Sequence, residues 1–162
     1  MFTKEKTKRN IKFEKKQMTI AIASDHAGVE YKARLVEFLK LERHTIIDLG
    51  PHNEERVDYP DFAHPLSIKV SNKEVDMGIL FCGSGNGINM SANKHQEVRS
   101  ALCWKKEIAE LARLHNNANV LTMPARFISF DEVKEIASIF IKTEFEGGRH
   151  EGRVKKIACS SY

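Results

Sequence analysis

The run Cys82-Gly83-Ser84-Gly85-Asn86-Gly87 joins a thiol to three alternating glycines. Glycines at every second position let successive backbone N–H groups converge on an anion. A helix opening near Asn86 would add the positive end of its dipole. Such a nest suits a phosphate, or an oxyanion that develops as a proton is abstracted. Cys82 stands at its edge, where a thiol is expected to have a lowered pKa and to act as base or nucleophile. The plain alternative is a buried strand-end cysteine with no chemistry. Alone, the loop also fits a dinucleotide site or a tight turn. The dinucleotide version needs an acidic residue about 20 residues on, at a strand end. The strand there, Val98 to Trp104, ends without one.

Other residues offer supporting chemistry. Asp25-His26 follows the first apolar run; the Asp can bind hydroxyls or cap a helix, and the His can meet a phosphate or face solvent. His115 leads the polar run Asn116, Asn117, Asn119, which reads as a hydrogen-bonded site or as a helix C-cap with turn asparagines. Arg149 and Arg153 are four apart, so on a helix they share a face. They make a phosphate clamp or a solvated basic face. Cys103 reads as core and Cys159 as incidental, while His44 and His95 read as surface positions. The seven histidines form no His-Glu-x-x-His or Cys/His motif, so no metal site is expected.

Strands and helices must position these groups. Met18 to Ala23, Thr45 to Leu49, Asp76 to Phe81, Val98 to Trp104 and Val120 to Met123 read as strands. Helices are expected over 28–42, 62–70, 86–93, 105–115, from a cap at Ser129 or Asp131 to about Lys142, and over 151–158. Alternating strands and helices with apolar strands imply five parallel strands in a doubly wound sheet covered on both faces. Ligands bind beyond the carboxyl ends of such strands. Asp25-His26, the glycine loop and Arg126 fall there. His115-Asn116 falls at a helix end on the opposite side, so a neighbouring subunit is expected to complete the site.

The 162 residues suit one domain. The formal charge of +4 is concentrated at one end. Residues 1–17 hold seven of the 26 Lys/Arg and two of the 22 Asp/Glu, leaving a nearly neutral remainder. A nucleic-acid surface is therefore not implied, and residues 1–17 read as a flexible basic extension of a domain over 18–162. No apolar run approaches the ~20 residues of a membrane helix, and no secretory signal is visible. Three cysteines without a Cys-x-x-Cys pair point to free thiols and a cytoplasmic setting.

Taken in order, these motifs resemble the ribose-5-phosphate isomerase B family, which also contains the subunits of galactose-6-phosphate isomerase. The carrying residues are Ser24-Asp25-His26-Ala27-Gly28, Asp58-Tyr59-Pro60-Asp61, Cys82 to Ile88, Ala92-Asn93-Lys94, His115-Asn116-Asn117 and Gly147-Gly148-Arg149-His150-x-x-Arg153. They span about residues 18–155. The resemblance implies a three-layer α/β/α sandwich, Rossmann-like or flavodoxin-like, in a homodimer or dimer of dimers whose segment from about 147 contacts the partner. It implies interconversion of D-ribose 5-phosphate and D-ribulose 5-phosphate through a cis-enediol, in the pentose phosphate pathway, without metal or cofactor. By the same resemblance Cys82 is the C2 base, His115 opens the sugar ring and Ser84 shuttles a proton. The amides of Gly83, Gly85, Asn86 and Gly87 hold the enediolate, and Asp25 and Asn116 bind hydroxyls. His26, Arg126, Arg149 and Arg153 hold the phosphate, and Tyr59 borders the pocket. Ile88 stands where another branch of the family carries a glutamate base, which places this sequence in the cysteine branch. His150 is the second candidate for ring opening. A six-carbon substrate (allose or galactose 6-phosphate) and a nucleotide-binding regulatory module are the alternatives.

Overall fold

The structure, a computed structural model, describes residues 16–159. The expected basic extension lies outside the described residues except for its last two positions.

Five strands form one parallel sheet: β1 (Thr19–Ser24), β2 (Thr45–Asp48), β3 (Met77–Cys82), β4 (Ser100–Leu102) and β5 (Val120–Pro124), in the order β2-β1-β3-β5-β4. Six α-helices accompany them among the described residues: α1 (Val29–Leu41), α2 (Pro60–Ser71), α3 (Asn86–Ala92), α4 (Lys106–Asn116), α5 (Phe130–Lys142) and α6 (Glu151–Lys155). Place in the sheet follows apolar content. β3 and β5 are buried at every residue and take interior positions, whereas β4 is half-buried throughout and lies at an edge. This shortens the strand expected over Val98 to Trp104 to three residues. An edge strand has only one neighbour to continue its ladder. The last helix is also shorter than expected, ending at Lys155.

The period of two in a strand divides the core into two clusters. Ile20, Ile22, Ile79 and Phe81 face one side and pack on Leu35 and Leu39 of α1, Ala109 and Ala112 of α4, and Val133, Ile136 and Phe140 of α5. Ala21, Ala23, Leu80 and Cys82 face the other and pack on Leu66 and Val70 of α2 and on Ile88 and Ala92 of α3. Small strand residues let α2 come close; a Cβ on Gly78 would stand 2.5 Å from Leu66 Cδ2. Pro60 opens α2 at a position where its missing N–H costs nothing. Ser129 and Glu132 form a reciprocal capping box at the start of α5, with Ser129 N donating to Glu132 Oε2 at 2.7 Å.

Strand order reverses between β1 and β3: the chain leaves β1 for the β2 side and returns to the other. The crevice above the carboxyl ends of these two strands is the expected ligand position.

Candidate active site

That crevice is lined by the carboxyl end of β1, the loop after β3 and the turn after β5. Register places Ser24 beside Phe81, and Cys82 beside Pro124. Asp25 N donates to Phe81 O at 3.0 Å, which holds Asp25 at the level of Cys82. Asp25 also caps a 3-10 turn, His26–Gly28, by accepting from Ala27 N at 2.9 Å. The capping and site readings of Asp25 are therefore compatible. Ser24 Oγ and His26 Nδ1 are buried with no hydrogen-bond partner among the described residues.

The glycine loop turns sharply into α3. Gly85 adopts φ 78°, a left-handed conformation that L side chains rarely take. Ser84 and Asn86 are exposed, and Asn86 N and Nδ2 both approach Ser84 Oγ at 3.4 Å. Two side chains wall the loop. Arg126 N donates to Gly83 O at 3.1 Å, and the Arg126 side chain passes over Gly83, with Nη1 only 3.3 Å from where a Cβ would stand. The Tyr59 ring crosses Gly87 so closely that a Cβ there would stand 2.5 Å from Cζ. Asp25, His26, Tyr59, Cys82, the glycine loop and Arg126 thus form one rim.

Cys82 is 7% exposed. The expectation of a lowered pKa is corrected. Burial pushes the thiol up, and the Asp25 carboxyl, as hydrogen-bond partner and as a negative charge, pushes it further. The N–H groups of Gly85 and Ile88 act in the opposite direction without prevailing. A deep strand end beside a carboxylate outweighs a seven-residue helix. Cys103 is wholly buried and its thiol is pushed up to about 12 by burial, in keeping with a core role.

The second group of residues sits at the opposite edge of the sheet. His115 and Asn116 end α4, and Asn117 closes it in a left-handed conformation at φ 45°. β5 then begins at Val120 and runs away from them toward Cys82. At ~3.3 Å per residue, the length of β5 alone separates the two edges by about 13 Å. Arg113 ties this corner together. Its Nε donates to Thr143 O at 3.1 Å and its Nη1 to Asn117 Oδ1 and Ala118 O. Asn117 and Asn119 serve this scaffold, since Arg99 Nε donates to Asn117 O at 2.9 Å and Arg99 N to Asn119 Oδ1 at 2.8 Å.

The chain after α5 folds back onto the end of α4. Glu146 N donates to Leu114 O at 3.1 Å. Gly147, at φ 72°, starts a turn that stacks His150 on His115, with ring centroids 4.3 Å apart and planes within 11°. Glu146 Oε2 lies 3.7 Å from His115 Nε2 and 4.0 Å from His150 Nε2. Burial, His115 and the neighbouring Arg149 and Arg153 lower the His150 pKa, while Glu146 raises it. Arg149 and Arg153 are exposed on the turn and on α6.

The expected site residues therefore fall into two sets that one chain keeps apart: Asp25, His26, Tyr59, the loop from Cys82 to Gly87 and Arg126 at one edge, and His115, Asn116, Arg149 and Arg153 at the other. Sequence reasoning missed Glu146, whose only signal is its spacing of four from His150. It also missed the Lys32–Asp48 pair, because a lysine on the apolar face of α1 looks like any helical lysine. Lys32 is 1% exposed, and its Nζ meets both Asp48 oxygens at 2.6 and 2.7 Å. His95, read as a surface position, pairs with His64 at 2.9 Å. His44 is half-buried and its Nδ1 accepts from Met18 N at 3.3 Å.

Known proteins resemble this chain over most of its length. The pattern of the ribose/galactose isomerase family matches residues 20–157. A probable ribose-5-phosphate isomerase B of Mycoplasma genitalium is 46% identical over 140 residues, which is 85% of this chain and 92% of that protein. A crystal structure of a ribose 5-phosphate isomerase from Thermotoga maritima superposes with a TM-score of 0.86 at 43% identity, covering 87% of this chain and 97% of that one. The Mycoplasma genitalium ribose-5-phosphate isomerase B, solved with bound ribulose-5-phosphate, gives a TM-score of 0.82 at 45% identity, covering 86% and 93%.

Proposed function

The chain belongs to the ribose/galactose isomerase family, and from that premise we infer that it is an aldose–ketose isomerase interconverting D-ribose 5-phosphate and D-ribulose 5-phosphate. The observation that carries the mechanism is a buried thiol set against a glycine nest at the reversal point of the sheet. The six-carbon alternative is not favoured, since similar proteins such as those of Mycoplasma genitalium and Escherichia coli are named for the five-carbon sugar.

The proposed reaction runs as a proton transfer. The Cys82 thiolate takes the C2 proton of the open-chain aldose, and the C–H electron pair moves toward the C1 carbonyl. Backbone amides of Gly83, Gly85, Asn86 and Gly87 hold the resulting enediolate. The Ser84 hydroxyl moves the remaining proton from O2 to O1, and the Cys82 thiol returns its proton to C1. The raised thiol pKa fits this use. It makes the thiolate scarcer but a stronger base for a weak carbon acid. Asp25 holds sugar hydroxyls, and Tyr59 closes the rim.

The other half of the pocket comes from a second copy in a homodimer, or in a dimer of dimers. His115 of one chain cannot reach Cys82 of the same chain across the length of β5, so ring opening at His115 calls for a partner. Asn116 of that partner binds a hydroxyl. Its Arg149 and Arg153, from the segment beginning at about 147, meet the phosphate opposite His26 and Arg126. Phosphate bound at a distance fixes the reacting carbons against the base. Three free cysteines fit a cytoplasmic setting, and no helix among the described residues is long and apolar enough to cross a membrane.

The test is turnover of purified protein on ribose, allose and galactose phosphates, with C2-proton exchange followed by NMR. Ribose 5-phosphate is expected to lead, and Cys82→Ala to lose exchange by at least about 100-fold while inorganic phosphate still binds. Exchange retained in Cys82→Ala removes the thiol as base.

A further inference from the structure

We propose that Asn93 is a positioning residue for the Cys82 thiol: its side chain ties α3 to β4 and so fixes the glycine loop at the far end of α3. The inference rests on Cys82 acting as the proton-transfer base. Ala92-Asn93-Lys94 lies outside the rim around that thiol, so Asn93 acts through the backbone it holds and not by touching a reacting atom.

Asn93 closes α3, and its side chain is exposed. Nδ2 donates to Ser100 O at 2.9 Å, and Oδ1 accepts from Ser100 N at 2.8 Å. Nδ2 also donates to Asn89 O at 3.1 Å, within α3. One side-chain amide thus takes both backbone groups of Ser100, as a neighbouring strand would, on the side of β4 that has no strand partner. The residue type matters here. An aspartate at neutral pH offers only acceptors, and an apolar residue offers neither group.

β4 also meets the other end of the helix. A Cβ on Gly85 would collide with Leu102 Cδ1. β4 is itself locked to β5, with Leu102 in register with Thr122 and with Ser100 Oγ 2.9 Å from Thr122 Oγ1. The strand therefore backs α3 at Ser100 and the glycine loop at Leu102. The helix needs that support. It has seven residues, and those it buries are Ile88 and Ala92. Such a narrow apolar stripe resists lifting from the sheet but does little against sliding along it. Gly85 and Ile88, whose N–H groups favour the thiolate, belong to the loop end of α3. A slip of α3 withdraws both together and leaves the thiol to the burial and the Asp25 carboxyl that oppose its ionisation.

The test compares Asn93→Ala and Asn93→Gln with the wild type in the full-length protein. Because Asn93 is exposed, both variants are expected to fold, which circular dichroism checks. Cys82 is titrated without substrate by ultraviolet thiolate absorbance, as the difference from the same chain carrying Cys82→Ala. Then kcat and KM for ribose 5-phosphate are followed over the same pH range. In Asn93→Ala the thiol is expected to titrate at higher pH than in the wild type, and the alkaline climb in kcat to move with it. kcat is expected to fall by at least about 10-fold, since a misplacement of about 1 Å can cost about 100-fold. KM is expected to change little, because the phosphate contacts lie elsewhere. Asn93→Gln keeps a donor and an acceptor one methylene too far out, and is expected to show the same changes to a smaller degree. A thiol that titrates in Asn93→Ala as it does in the wild type would overturn the inference, because a merely structural role lowers activity without moving that titration. Failure of both variants to fold would overturn it too, by making Asn93 a residue of the fold and not of the site. A shifted thiol with an unshifted kcat profile would uphold Asn93 and remove Cys82 as the base.

Discussion

Replacing Lys32 with Met and Asp48 with Asn tests how the carboxyl end of β2 holds the active-site edge of β1. Lys32 Nζ contacts both Asp48 oxygens, and Asp48 Oδ1 also accepts from Gly50 N at 2.9 Å. Gly50 O in turn accepts from Ser24 N at 3.1 Å, beside Asp25. The two partners differ in burial: the lysine side chain is 2% exposed and the aspartate 26%. Breaking a fully buried pair costs about 3–5 kcal/mol, because one charge is left unpaired. Asp48→Asn strands the fully buried ammonium and is expected to cost that full amount. Lys32→Met keeps the packing of the stem and strands a carboxylate that water and Gly50 N still reach. Its expected cost is about 2–3 kcal/mol, roughly a 30- to 140-fold change in the unfolding constant. Urea unfolding at fixed protomer concentration measures both. The double variant is expected to cost less than the sum of the singles. A cost under about 1 kcal/mol for each, or a larger cost for Lys32→Met than for Asp48→Asn, would refute the assignment by burial.

Three further outcomes follow from the site. If two chains share each pocket, refolding a mixture of Cys82→Ala and His115→Ala chains is expected to restore about a quarter of wild-type activity, because half the dimers are mixed and each has one intact site of two; no recovery would place both residues in one chain's pocket. Burial and Asp25 both raise the Cys82 thiol, so activity is expected to climb as pH rises through the alkaline range. Asp25→Asn removes the Asp25 contribution and is expected to move that climb to lower pH while raising KM, whereas an unmoved pH–rate profile would detach Asp25 from the thiol. Gly87→Ala puts a methyl within 2.5 Å of Tyr59 Cζ; since the Tyr59 ring is 40% exposed and can swing away, stability is expected to fall by less than about 1 kcal/mol while KM rises, and an unchanged KM would remove Tyr59 from the rim.

Much of the fold was legible because its signals are local. β1 and β3 are runs of apolar residues, and α5 carries its own capping box at Ser129 and Glu132. The alternation of such runs with helical patterns implied a parallel sheet without any long-range information. Cys82 and its glycines were also legible, since a left-handed turn at Gly85 and the opening of α3 depend only on neighbours in the chain.

What the sequence left open depends on residues far apart. That β5 rather than β4 lies beside β3 was decided by which strand could be buried on both faces. The direction of the Cys82 pKa was misread because the helix end is local, while the burial and the Asp25 carboxyl that outweigh it arrive from β1. The meeting of His115, Glu146 and His150 needed the chain to return over the end of α4 through Gly147. The sequence by itself determined which groups could do proton-transfer chemistry and which elements carry them, because type and spacing are one-dimensional. Only the tertiary structure decided which of those groups touch, Asp25 beside the Cys82 thiol and His150 stacked on His115, because strand pairing and the return of the chain over α4 set those contacts, and no spacing along the chain encodes them.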